Sequence, residues 1–120
     1  MRRSHRDLRV WQEGISLVED AYRLTSSFPR DEIYGLTSQI RRAAVSVPAN
    51  IAEGSARKGT KELLYFLNVA TGSLSELDTH IEIATRLGYV SNTDDLKHRM
   101  DTVSALLLAL IESLKRKQAM

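Results

Sequence analysis

The stretch LLYFLNVATGSLSELDTHIEIA, residues 63–84, places Leu63, Leu67, Ala70, Leu74, Leu77, Ile81 and Ala84 at alternating steps of four and three. This heptad spacing keeps one stripe of an α-helix apolar through three repeats. A helix over 60–87 is about 42 Å long at 1.5 Å per residue. That is too long for a minor element of a small α/β domain, and it points to a long helical bundle. Gly88 reads as the residue beyond the helix end that takes a positive φ, with Tyr89 folding back on the last turn.

Toward the N-terminus, Leu36, Ile40, Ala43, Val47 and Ile51 repeat the pattern up to Gly54 and predict a helix over 34–56. Before it, Leu8, Trp11, Ile15, Val18 and Tyr22 predict a helix over 7–27. Phe28-Pro29 stops that helix, because a residue before proline avoids helical geometry. Toward the C-terminus, Leu96, Met100, Val103, Leu107, Leu110 and Leu114 predict a helix over 92–117. Ser91 reads as its N-cap, and Asp94 suits the positive end of the helix dipole. Pro48 falls inside the second stripe and predicts a kink there, since its ring removes a donor and displaces the Ala44 carbonyl. Asn50 and Glu53 are placed to satisfy the freed group or to pair across helices.

Connections of about six residues or fewer make sequential helices antiparallel neighbours, and no β-type alternation interrupts them. The expected fold is all-α: an up-down-up-down antiparallel four-helix bundle occupying residues 1–120 as one domain.

The 120 residues, 42% hydrophobic and 27% charged, fit a soluble globular chain that can bury a core without disulfides or metal. There is no cysteine, no signal-peptide pattern and no run of about 18 apolar residues. Cytoplasmic residence without membrane contact is the default expectation. A di-metal carboxylate centre needs two Glu-x-x-His units on facing helices. The nearest approaches are Asp95-x-x-His98 and the Glu76/His80 pair. With no GxSxG, HExxH or Cys–His combination either, no catalytic residue, metal or cofactor is expected, and the chain reads as a non-enzyme. GSARKGTK, residues 54–61, approaches a phosphate-cradling loop, but its Thr and Lys are reversed and it follows a helix. Its glycines read as turn formers.

Net charge is only +2, yet it is segregated: residues 1–9, 35–61 and 113–120 sum to +3, +4 and +3, and the intervening segments are negative. Arg41, Arg42, Arg57, Lys58 and Lys61 form the densest basic cluster. Clustered cations beside a helix N-terminus suit phosphate contact with RNA or DNA. A solvated face with ion pairs to Glu53 or Glu62 is the competing reading. Lys115-Arg116-Lys117 suits the negative end of the last helix. Arg2, Arg3, Arg6 and Arg9 form a basic arm that either contacts nucleic acid or serves solubility. Trp11 and Tyr22 read as core or subunit-interface residues, not as platforms for stacked bases.

The run Tyr34 to Gly54, YGLTSQIRRAAVSVPANIAEG, resembles the signature of the four-helix proteins encoded in intervening sequences of bacterial 23S ribosomal RNA genes. Asp7-Leu8, Val10-Trp11, Phe28-Pro29, Lys61-Glu62, Phe66-Leu67, Gly72-Ser73-Leu74, Glu76-Leu77 and Leu87-Gly88-Tyr89 extend the resemblance over roughly residues 7–90. It marks Pro48, Asn50, Glu53 and Gly54 as structural motif residues. It implies an antiparallel bundle that assembles as a ring-like homopentamer without established catalytic activity. A related branch, the accessory variability proteins of diversity-generating retroelements, binds nucleic acid and a reverse transcriptase through basic surface.

Val10, Leu17, Leu64, Phe66, Leu106, Leu108 and Ile111 lie outside the assigned stripes, and this apolar excess predicts self-association. The expected function is a non-catalytic homo-oligomer, a pentamer by resemblance, that contacts RNA or DNA through its basic cluster. The alternative is an oligomeric scaffold for a partner protein.

Overall fold

The computed structural model describes residues 4–120; Arg2 and Arg3 of the basic arm lie outside the described residues. Four α-helices follow one another: α1 Arg9–Thr25, α2 Leu36–Ser55, α3 Thr60–Arg86 and α4 Asp94–Ala119. Short 3-10 turns at His5–Asp7 and Arg30–Glu32 precede α1 and α2. Each helix packs on its two neighbours, α1 on α2 and α4, α3 on α2 and α4, and the diagonal pairs stay apart. The body measures 50 × 20 × 20 Å, as an antiparallel bundle of helices of up to 27 residues requires.

The helix ends follow local chemistry. Ser26 closes α1 by donating its hydroxyl to the Arg23 carbonyl at 2.7 Å, ahead of Phe28-Pro29. Beyond α3, Gly88 has φ +79°, and Tyr89 N–H reaches the Ala84 carbonyl while Gly88 N–H reaches that of Thr85. This paired closure satisfies carbonyls the helix would otherwise leave open. The start of α4 differs from expectation. Thr93 occupies the N-cap, and Asn92 Oδ1, not Ser91, accepts the Asp94 N–H at 3.0 Å.

In α2, α3 and α4 the predicted stripes supply the core. Ile40, Val47, Ile51, Leu67, Leu77, Ile81, Val103 and Leu107 are all essentially inaccessible. In α1 the predicted stripe is displaced by one residue. Val10, Gly14, Leu17, Ala21 and Thr25 are buried, whereas Ile15 and Tyr22 are 38% and 44% exposed. The supposed excess is therefore absorbed mostly within the chain: Val10, Leu17, Leu64 and Ile111 belong to the core. Phe66 and Leu106 are half-buried, and Leu108 remains exposed.

α2 runs through Pro48 without ending. Pro48 is buried against Gly14 of α1, where a Cβ would stand 3.2 Å from the proline Cβ. The helices thus meet backbone to ring. Gly54 also lies inside α2, and the only positive-φ glycine among the described residues is Gly88. A Cβ on Gly54 would meet Phe66 Cβ at 2.9 Å, so Gly54 serves the contact of α2 with α3 rather than a turn. Across the bundle, Arg99 of α4 donates to Asp20 and Glu13 of α1, both at 3.0 Å. These bonds, Asp20 first, raise the Arg99 pKa further.

The α1–α2 and α3–α4 connections are tied at one end. Tyr89 donates its phenol to Glu32 at 2.8 Å, and its ring lies 5.6 Å from that of Phe28. Glu32 also accepts the Leu36 N–H at 3.0 Å, capping α2 from four residues upstream. The backbone bond from Leu36, then that from Tyr89, lowers the Glu32 pKa below 4.5. A depressed carboxyl stabilises the fold fully above its ordinary value and loses that contribution as pH falls through the lowered one. The stability gap between the native protein and Glu32→Gln is therefore expected to narrow as the pH drops from neutral into the acid range. Urea titrations at several pH values check this, and a gap independent of pH counts against the tie.

Candidate nucleic-acid interface

The centre of α2 is occupied by packing rather than by a ligand-binding arrangement. Asn50 donates to the carbonyl and hydroxyl of Ser46 at 2.7 and 2.9 Å. Ser46 bonds Ser73 of α3 at 2.8 Å, and Ser73 donates onward to the Val69 carbonyl. One hydrogen per hydroxyl makes this a directed chain from Asn50 through Ser46 and Ser73. Asn50 thus serves the Ser46 carbonyl, not that of Ala44, and the crossing to α3 is made by the serines. Glu53 pairs along its own chain with Arg57 at 3.2 Å. His80 sits 3.4 Å from Glu76, and its Nδ1 is buried without a partner.

The five predicted basic residues separate into two groups. Arg41 and Arg42 lie near the start of α2, while Arg57, Lys58 and Lys61 lie beyond its end and at the start of α3. The fourteen residue-to-residue steps from Arg41 to Ser55 span about 20 Å along the helix. Arg41 is committed to the α1–α2 contact: its Nε donates to Thr25 at 2.9 Å and its guanidinium stacks 4.4 Å from the Tyr22 ring. Arg42 is exposed and borders two open grooves, one with Gln39 and Glu76, the other with Tyr22, Ile33 and Val45.

Around Arg57 the structure gathers what the sequence separates. Antiparallel topology brings the start of α1, the α2–α3 turn and the end of α4 to the same end of the bundle. Arg6 and Arg9 therefore join Arg57, Lys58 and Lys61, and Lys115, Arg116 and Lys117 complete the group. Asp7, Glu53, Glu62 and Glu112 offset part of this charge. The opposite end carries Asp31, Glu32, Asp94 and Asp95 together with Arg23, Arg30, Arg86 and Lys97, so its charges cancel. Aromatic rings are interleaved with the cations: Arg57 lies 5.1 Å over Phe66, Phe66 meets Tyr65 edge-on at 5.0 Å, and Arg6 lies 5.4 Å over Trp11.

The architecture is that of a four-helix bundle with a cation-rich end. The sequence profile of the 23S rRNA-intervening sequence proteins matches residues 6–109, and the chain belongs to that family. No curated protein matches it. No helix among the described residues is long and apolar enough to cross a membrane.

In the sequence the basic arm and Lys115-Arg116-Lys117 are separate local features, and nothing there singles out Tyr65. The missing signal was available for the cations. Three positive segments lie at chain positions that up-down topology brings to one end.

Proposed function

We propose that this chain is a non-catalytic, cytoplasmic helical bundle that self-associates and contacts RNA or DNA through its cation-rich end. The observation that carries this reading is the convergence of three sequence-distant basic segments at one end, while the charges of the other end cancel. Such a cation-rich surface attracts a polyanion on approach. Self-association is supported by exposed apolar side chains on the α1–α2 side: Tyr22, Ile33, Tyr34 and Val45 border one groove, and Ile15 stands two turns from Tyr22 along α1. The stoichiometry of five follows the family resemblance, with heterologous contacts closing a ring.

Labelled RNA and DNA titrated with the full chain test the interface. Affinity is expected to fall steeply with salt, with a log–log slope of about −0.7 per phosphate contact on single strands, and heparin is expected to compete. Light scattering is expected to give five times the 13.5 kDa chain mass. Salt-insensitive or absent binding removes the nucleic-acid reading and favours the partner-protein scaffold; a uniform single-chain mass removes assembly.

A further inference from the structure

We propose that the cation-rich end takes single-stranded nucleic acid, with an unstacked base laid on Tyr65 and the adjoining phosphates held by Lys61 and Arg57; this rests on the nucleic-acid reading above. Tyr65 is 63% exposed on the first turns of α3, four residues after Lys61 and therefore on the same helix face. Its ring does not stand alone. Phe66 abuts it edge-on at 5.0 Å, and the far partner of Phe66 is the Arg57 guanidinium at 5.1 Å. Phe66 is half-buried and pressed against Gly54, so it anchors the tyrosine and the arginine to the α2–α3 contact. An aromatic face held beside two cations is the arrangement that binds single strands: the ring supplies stacking to any base and the cations follow the backbone.

The shape of the surface selects against duplex. The end of the bundle is about 20 Å across and presents helix termini, and among the described residues no helix lies along it to enter a major groove. The other exposed large apolar side chains of this part of the chain, Ile83 on α3 and Leu87 just beyond it, lie at the opposite end of the bundle. Tyr65 alone among the exposed large side chains of α3 lies among the cations.

The test is fluorescence anisotropy of the full chain with three probes of equal length: an oligouridylate, the same strand with abasic riboses, and an RNA duplex. Tyr65→Ala is expected to weaken the oligouridylate by about 5- to 150-fold, the stacking of one base. Binding of the abasic strand should stay unchanged, Tyr65→Phe should retain native affinity, and circular dichroism and light-scattering mass should match the native chain. Lys61→Gln is expected to weaken both strands alike and to lower the salt slope. Equal effects of Tyr65→Ala on both strands, a duplex bound as tightly as the single strand, or a loss that tracks a changed mass overturns the assignment. Salt-dependent binding that is blind to Tyr65 defeats this inference alone; absence of salt-dependent binding to every probe defeats the underlying reading as well.

Discussion

Leu17→Ala is expected to destabilise the protein by about 2–5 kcal/mol, the usual cost of emptying a closed leucine site, and Ile15→Ala by less than about 1 kcal/mol. The two residues are neighbours on α1 and similar in size. Leu17 is fully buried and Ile15 is 38% exposed. Chemical unfolding of both variants at several protein concentrations checks the difference. Any loss from Ile15→Ala that grows with concentration reports assembly, because association stabilises the folded chain by mass action. Equal, concentration-independent losses would mean that α1 is turned as its bulky residues suggest and not as described above.

That pair also marks where the fold departs most from the apolar pattern of the sequence. In α1 the bulky stripe Leu8, Trp11, Ile15, Val18 and Tyr22 looks more apolar than Val10, Gly14, Leu17, Ala21 and Thr25. The second set is the buried one because Gly14, without a side chain, lets α1 approach α2 closely at Pro48, which turns Val10 and Leu17 on the same face into the core. Large side chains then flank the contact: Tyr22 lies under Arg41, and Trp11 packs against the core edge. Hydrophobicity counts favour size, so they select the flank. In α3 the same count succeeds, since its stripe faces the middle of the bundle, where Leu67, Leu77 and Ile81 fill space without residual exposure.

The site was legible in a different way. Arg57, Lys58 and Lys61 stand in one short segment, and their common location follows from sequence alone. Arg41 and Arg42 seem to extend that cluster because charge was counted along the chain, whereas distance in a helix accumulates at 1.5 Å per residue. Conversely, Arg6 and Lys115 to Lys117 belong to the same end although they are more than a hundred residues apart in sequence. Charge sums became spatially informative only after helix direction was assigned. Tyr65 had no such signal. A tyrosine beside a heptad stripe resembles any flank residue, and its significance rests on the rings and cations that α2 and α3 bring around it.

Gly54→Ala is expected to destabilise the protein by about 1–3 kcal/mol, as overpacking does, whereas Gly72→Ala is expected to stabilise it by about 0.5–1 kcal/mol. Both glycines lie inside helices, and alanine gains the same backbone preference at each. The space around them decides the sign. At Gly72 an added Cβ meets nothing within 4 Å, so the conformational gain is retained. At Gly54 it would stand 2.9 Å from Phe66 Cβ, 3.1 Å from Leu63 Cδ1 and 3.3 Å from the Leu63 carbonyl oxygen. The leucine methyl can rotate away, but a Cβ and a carbonyl are fixed to the backbone of α3. The α2–α3 contact must therefore open, which exceeds the helix-propensity gain. Urea midpoints at unchanged m-value measure both effects. If Gly54→Ala matches or exceeds the native midpoint, the close approach of α2 and α3 is wrong. If it falls as expected, binding of the oligouridylate should fall with it, because Phe66 holds both Tyr65 and Arg57 in place.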